Sequence, residues 1–255
     1  GDFLKEIMEG LSAKVFRTLY ATDAVGGKLA KETVKPEDPD YVKRQAALRA
    51  NLEAAIVCNH KRTIPKTWQQ SLQKKKDRLK QLESKASADE KAMRQKLADE
   101  EKKYREKLAE AEKRLAEAEA KEEAQRAKLS EAEKVGGDLK TPEKRLEAAK
   151  KSTKAARERM RKLKNAYVTG SLKLKKQLEE KKKRNRETVE RMRLQVEAQE
   201  ITRDYNLGTS LKNYVDPRIY YDWGKRVDFD WRSYYPTTLQ KKFSWIEEQP
   251  EDEES

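Results

Sequence analysis

The stretch Gly208-Thr209-Ser210-Leu211-Lys212-Asn213-Tyr214-Val215-Asp216-Pro217-Arg218 sets a tyrosine hydroxyl among polar and basic neighbours. Proline confines the residue before it to extended backbone, so a helix carrying Tyr214 is expected to end or turn at Asp216. Three uses of such a tyrosine are open: an aromatic plug, a hydrogen-bonding surface residue, or a nucleophile. A tyrosine hydroxyl ordinarily titrates near pH ~10, so as a nucleophile at neutral pH it needs help from its neighbours. Two earlier stretches carry suitable groups: Arg17 in Val15-Phe16-Arg17-Thr18, and His60, the single histidine, in Asn59-His60-Lys61-Arg62. An arginine fork suits two phosphate oxygens, and a histidine can donate a hydrogen bond or a charge to one of them. The plain alternatives are a surface ion pair for Arg17 and a helix C-terminal cap for His60.

The elements that must position these groups are helical. From Phe3 to Tyr20 the apolar residues Leu4, Ile7, Leu11, Val15, Phe16 and Leu19 recur at three- and four-residue steps, which predicts an amphipathic helix. Gly26-Gly27 predicts a loop after it, and Pro36 and Pro39 break the chain again. A second helix is predicted over Tyr41–Asn59, with Ala47, Leu48, Leu52, Ala55 and Ile56 inward. It delivers His60 at its C-terminal end.

From Thr67 the composition changes to Lys, Glu, Ala, Arg and Leu. Leu97, Tyr104, Leu108, Ala111, Leu115 and Ala118 keep the alternating spacing of a coiled-coil seam. The pattern breaks at Val135-Gly136-Gly137-Asp138, and Thr141-Pro142-Glu143 reads as the cap and first turn of a new helix. A second seam follows at Leu146, Ala149, Thr153, Ala156, Met160, Leu163, Tyr167, Leu174, Leu178, Val189 and Val196. Two long helices joined by a short glycine turn form an antiparallel pair. Each arm of about 60 residues would reach roughly 90 Å at 1.5 Å per residue. After Glu200, Tyr205, Tyr220, Tyr221, Trp223, Phe229, Trp231, Tyr234, Tyr235, Phe243 and Trp245 must supply most of a small core. The tail from Glu247 to Ser255 is acidic and is expected to fray.

The fold class read from this is all-α. It comprises core helices over residues 1–67, an antiparallel coiled-coil hairpin over 68–203 turning near 135–142, and a small helical domain over 204–255. Of the 255 residues 42% are charged and only 35% hydrophobic, too few apolar residues for one compact globule. A net charge of +14 favours a polyanionic partner, nucleic acid before an anionic membrane surface. No apolar run approaches the roughly 20 residues of a membrane span, and no signal peptide is visible. The start lacks methionine and reads as mid-protein helix, so the chain is expected to be a piece of something longer. Cys58, the single cysteine, is expected to be a buried small hydrophobe in a reducing compartment. One Cys and one His do not make a zinc site of the usual composition.

Three blocks occur in one order: Ile7 to Thr18, Val57 to Arg62, and Gly208 to Arg218. Together they resemble the C-terminal part of the eukaryotic type IB DNA topoisomerases. The resemblance covers both ends of the chain; the coiled coil matches in kind and is longer than is usual in that family. One departure is that the family typically has Lys and then an apolar residue before Asn-Tyr, whereas Leu211 here precedes Lys212.

The resemblance implies an enzyme that cuts one DNA strand through a 3′-phosphotyrosine, lets the duplex swivel, and reseals it without ATP, metal or other cofactor. It assigns Tyr214 as nucleophile, with Arg17 and His60 stabilising the phosphate. Asn213, Arg62 and Lys61 would contact DNA, and Asn213 matches the position where camptothecin-type inhibitors act. A further arginine and a lysine of the family's site lie in upstream blocks that these residues do not include. The implied partners are double-stranded DNA and that upstream part, in a monomer. The implied location is the nucleus, with Lys181-Lys182-Lys183-Arg184 as a weak nuclear address. Two other readings stay open: a non-enzymatic coiled-coil scaffold that binds nucleic acid, and a tyrosine recombinase. The first leaves the three blocks as coincidence. The second lacks such a linker and places its second arginine in a pattern that Arg62 fits poorly.

Overall fold

The computed structural model describes residues 11–247 together with Leu4, Glu6, Met8 and Glu9. Phe3 of the predicted first helix, Ile7 and Gly10 of the first block, and the tail after Glu247 lie outside the described residues. From residue 11 on, the described residues form seven α-helices in order: α1 Ala13–Lys31, α2 Asp40–Val57, α3 Trp68–Val135, α4 Lys140–Ile201, α5 Leu207–Asn213, α6 Arg218–Val227 and α7 Thr237–Lys242. Short 3-10 turns span Trp231–Tyr234 and Ser244–Glu247. The described residues hold no strand, only an isolated antiparallel bridge between Lys61 and Tyr205. The chain is all-α. It divides into two compact units, one of residues 1–82 and 187–255, the other of residues 83–186.

In the first unit, small residues decide how closely α1 and α2 approach. Ala21, Val25 and Leu29 of α1 and Ala46, Ala47, Ala50 and Ala54 of α2 are all buried in one core cluster. Close packing of this kind is worth roughly 25 cal/mol for each Å² of apolar surface removed from water. The predicted loop at Gly26-Gly27 is instead the interior of α1. Gly26 lets α6 pack close, since a Cβ there would stand 2.8 Å from Ile219 Cδ1. The inward face expected of the first helix is also corrected: Val15, Phe16 and Leu19 are 47%, 42% and 63% exposed. The stripe that packs lies one to two turns further on, on alanine and valine.

On α2, Ala47 and Ala55 are buried as read, Leu48 and Leu52 are half-buried, and Ile56 is exposed. Polar Lys43, Gln45 and Asn51 are buried on the same helix. Lys43 succeeds there because its ammonium donates to the carbonyls of Pro36 (2.8 Å) and Asp228 (2.7 Å), which satisfies a charge that burial would otherwise penalise. The aromatic residues after Glu200 form the core as expected, with Tyr220, Trp223, Phe229, Trp231, Tyr235 and Phe243 buried. They meet mostly edge to face, at centroid separations of 5.5–5.7 Å for Trp231–Tyr235, Tyr235–Phe243 and Trp223–Phe229. Trp245 remains 38% exposed.

The second unit is a helical hairpin whose seam follows the sequence reading. Ala118, Leu146, Thr153 and Leu178 are buried, and Leu97, Tyr104, Leu108 and Tyr167 are half-buried. Tyr104 and Tyr167 stack at 3.8 Å across it. Thr153, a polar residue in the seam, donates across to the Ala118 carbonyl at 3.2 Å. Arg157–Glu119, at 2.8 Å, and Lys181–Asp89, at 2.9 Å, cross between the arms. Exposed pairs of this type add little each. The turn keeps Gly136 at φ +67°, and Asp138 rather than Thr141 caps α4, accepting from the Lys140 backbone N–H and the Thr141 hydroxyl. Charge is divided unevenly between the arms. Residues 83–135 carry fourteen Lys/Arg against fifteen acidic residues, whereas residues 140–186 carry nineteen against five.

Two glycine substitutions check this packing by chemical denaturation. At Gly224 an added Cβ would meet the Phe229 carbonyl oxygen at 2.5 Å, backbone that cannot rotate away. Gly224→Ala should therefore destabilise by about 1–3 kcal/mol. Gly27→Ala faces open space within a helix and should stabilise by about 0.5–1 kcal/mol.

Candidate phosphoryl-transfer site

Helix α2 ends in a Schellman motif. Asn59 takes the left-handed conformation at φ +54°, the His60 N–H donates to the Ala55 carbonyl (2.8 Å) and the Asn59 N–H to Ile56 (2.9 Å). Asparagine tolerates that conformation better than most side chains, which is why the chain turns there and presents His60. The next residues pair with a segment far along the chain: Asn206 N–H donates to the His60 carbonyl (2.8 Å) and Arg62 N–H to the Asp204 carbonyl (3.0 Å). Helix α5 starts directly after this pairing, with the Asn206 side chain accepting from Gly208 N–H. Buried Asn51 of α2 donates to the Leu207 carbonyl at 3.1 Å, fixing the first residue of α5 from the core side.

Tyr214 is the C-cap of α5, its N–H donating to the Ser210 carbonyl at 2.9 Å. The helix ends at Asn213, three residues earlier than the Asp216-Pro217 step alone required, so Tyr214 caps it and does not sit inside it. The Tyr214 ring lies 5.1 Å from the His60 ring, centroid to centroid, tilted by 36°. Ser210, fully buried, brings its hydroxyl to 2.8 Å from His60 Nδ1. Asp216 N–H donates to the Thr22 hydroxyl (3.0 Å), which ties the segment after Tyr214 to α1. Arg218 forks onto the Asp216 carboxylate, with contacts of 3.1 and 2.6 Å to one oxygen. Burial alone would raise the Asp216 carboxyl, but the side-chain and backbone donors of Arg218 and its charge outweigh that and hold it below the usual range.

Arg17 is exposed on α1, one turn before Thr22, and its charge acts on both Cys58 and His60. Burial first, and the Arg17 charge second, lower the His60 pKa below its ordinary value. Burial raises the thiol of half-buried Cys58, partly opposed by Arg17. Tyr214, His60 and Arg17 thus share one locality although they come from three separate stretches. Asn213 is exposed beside Tyr214. Lys61 is exposed at the bridge to Tyr205, and Arg62 donates its Nε to the Arg203 carbonyl at 3.0 Å, so part of its donor set is engaged by backbone. A cavity of about 420 Å³ lies alongside, lined by Val15, Thr18, Leu19, Thr22 and Asp216.

The sequence reading assigned no role to Ser210, Thr22 or Asn51. Ser210 sits four residues before Tyr214, so it shares a helical face with it, and that spacing was the available signal. Thr22 and Asn51 gave none, because their partners are distant in sequence. Among the described residues no group of three His, Cys, Asp or Glu side chains is placed to hold a metal ion. No described helix is long and apolar enough to cross a membrane.

Comparison with known proteins adds the following. The family model of the eukaryotic DNA topoisomerase I catalytic core matches residues 1–94, and that of the C-terminal topoisomerase domain matches residues 186–254. DNA topoisomerase 1 of Rattus norvegicus is 31% identical over 245 residues, covering 95% of this chain and 23% of that protein. DNA topoisomerase 1 of Schizosaccharomyces pombe is 28% identical over 264 residues, covering 98% of this chain and 32% of that protein. The mitochondrial DNA topoisomerase I of Homo sapiens is 29% identical over 246 residues, covering 95% and 30%. The chain therefore spans about a quarter to a third of the length of these relatives.

The depressed His60 pKa fixes the sign of a pH effect. Between that value and the ordinary 6.5 the unfolded chain binds the proton more readily, so stability is fully present above 6.5 and is lost as pH falls through the window. Arg17→Gln should raise the His60 titration midpoint and shrink this loss. With one histidine in the chain, an NMR titration of the imidazole reads it directly; an unmoved midpoint would separate Arg17 from the site.

Proposed function

This chain belongs to the eukaryotic DNA topoisomerase I family, and we infer that it carries the nucleophile and part of the phosphate-stabilising machinery of a type IB DNA topoisomerase. The observation that carries the reading is the convergence of Tyr214, His60 and the field of Arg17, three stretches widely separated in sequence. In this reading the Tyr214 hydroxyl attacks a DNA phosphodiester. A bond forms between phosphorus and the tyrosine oxygen, and the bond to the 5′-oxygen breaks. The phenol proton passes to water, and the products are a 3′-phosphotyrosine and a 5′-hydroxyl whose proton comes from a group of the upstream part. The exchange conserves one phosphodiester, so religation runs the same step backwards with no ATP.

Negative charge on the non-bridging oxygens is what the protein must stabilise, and preorganised donors do this most effectively. Arg17 supplies a fork and His60 a single donor. Arg62 and Lys61, at the bridge ahead of α5, would meet the DNA backbone. Asn213 would face the cleavage position, where a camptothecin-type inhibitor would sit.

Residues 1–67 would act as part of the catalytic core, 68–203 as linker and 204–255 as the nucleophile-bearing domain. The basic excess of α4 makes that arm the one attracted to a DNA backbone, with a steep salt dependence. The basic run Lys181–Arg184 favours a nuclear site of action. DNA and the upstream part are the partners, and the assembled enzyme would act as a monomer that relaxes supercoils during replication and transcription.

Covalent trapping tests this. The chain supplied with its upstream part and a nicked suicide duplex should form a DNA adduct that Tyr214→Phe abolishes. His60→Ala should slow its formation by roughly 10²–10³-fold. An adduct that survives Tyr214→Phe would move the nucleophile elsewhere. The chain alone should not relax plasmid DNA, since the remaining arginine and the leaving-group proton donor come from upstream. Efficient relaxation by it would overturn that division of labour.

A further inference from the structure

The Ser210 hydroxyl is fully buried, and among the described residues His60 Nδ1, at 2.8 Å, is its partner. A hydroxyl has one proton to donate. Were Nδ1–H the donor, the serine proton would be left in the core without an acceptor, at the full desolvation cost of an unsatisfied polar group. The arrangement that satisfies both groups has the serine donating and Nδ1 accepting. A neutral imidazole then carries its proton on Nε2, the other ring nitrogen.

The charged surroundings act in the same direction. Among the described residues, Arg17 of α1 is the charged group that acts on His60, and the Tyr214 ring at the end of α5 lies beside it. Neither is a carboxylate that would stabilise an imidazolium, and Arg17 opposes one. A neutral histidine can still donate to a phosphate oxygen, but only in the tautomer that places its proton away from Ser210.

We propose that Ser210 is a positioning residue that holds His60 as its neutral Nε2–H tautomer, making it a hydrogen-bond donor to the scissile phosphate without positive charge. The proposal rests on the functional reading above for the phosphate, but the tautomer itself does not. Because Ser210 lies on the same short helix as Tyr214, and its carbonyl accepts the Tyr214 N–H, one residue registers the donor against the nucleophile.

The first test needs no substitution. In this chain, labelled with ¹⁵N-histidine, long-range ¹H–¹⁵N spectra above the titration midpoint should show one imidazole with Nε2 protonated and Nδ1 as acceptor. A protonated Nδ1 would overturn the proposal. In Ser210→Ala, a good helix former that removes only the hydroxyl, the tautomers should mix; an unchanged spectrum would also overturn it. With the upstream part added, Ser210→Ala should slow single-turnover cleavage by about tenfold or more while DNA affinity is kept. It should add no further loss in a His60→Ala background, whereas an equal loss in both backgrounds would mark a merely structural role. If the unsubstituted chain forms no adduct at all, the functional reading fails, and the NMR arm still decides the tautomer.

Discussion

Two backbone hydrogen bonds hold this protein's candidate site together: Asn206 N–H to the His60 carbonyl and Arg62 N–H to the Asp204 carbonyl. They join the end of α2 to the start of α5, and the side chains that meet beyond them, His60 and Ser210, are 150 residues apart in sequence. Most of what lies between is helix. Loop-closure entropy rises only with the logarithm of length, so a long insertion costs little if its two ends return to the same place. They are returned by the base of the two long helices. Lys76 pairs with Glu200 at 2.6 Å, Gln199 donates to the Trp68 carbonyl at 3.3 Å, and Arg203 lies over the Trp68 ring. Leu72 and Val196 are buried in the same region.

Around that clasp each group of the site is held by something more rigid than itself. His60 is aimed by a Schellman turn, Tyr214 by the end of a helix whose first residue is pinned by Asn51, and Asp216 by Thr22 of α1. Backbone donors and buried polar side chains do this positioning. The apolar core lies behind them, and the edge-to-face aromatic cluster after Glu200 gives α5 and α6 a small but dense surface to pack on. The electrostatics follow from the same burial: a histidine partly withdrawn from water beside an arginine has its pKa held below the ordinary value, which disfavours the imidazolium.

The hairpin obeys different physics. Its seam mixes leucine with alanine, threonine and paired tyrosines, so its two helices are held by a thin apolar stripe and a few cross-arm ion pairs. The whole chain's formal charge is +14, and the excess of Lys and Arg over Asp and Glu in residues 140–186 alone matches it. One arm is close to neutral while the other carries the basic excess, a distinction that total composition hides.

Local pattern determined a good deal of this protein. Heptad spacing gave the seam from Leu97 to Leu178, and the Gly136-Gly137 turn gave its reversal. The order of the three blocks singled out Arg17, His60 and Tyr214. The seam and its reversal are legible in sequence because periodicity and turn chemistry act between near neighbours. The tertiary structure decided the rest. Gly26-Gly27 continues α1, where Gly26 leaves room for Ile219 of a distant helix, and α1 packs through Ala21 and Val25 against alanines of α2; Phe16 and Leu19 stay exposed. The partnership of Ser210 with His60, and of Asn51 with Leu207, likewise exists only once the two ends of the chain meet. A hydrogen bond between residues 150 apart leaves no periodic trace in sequence.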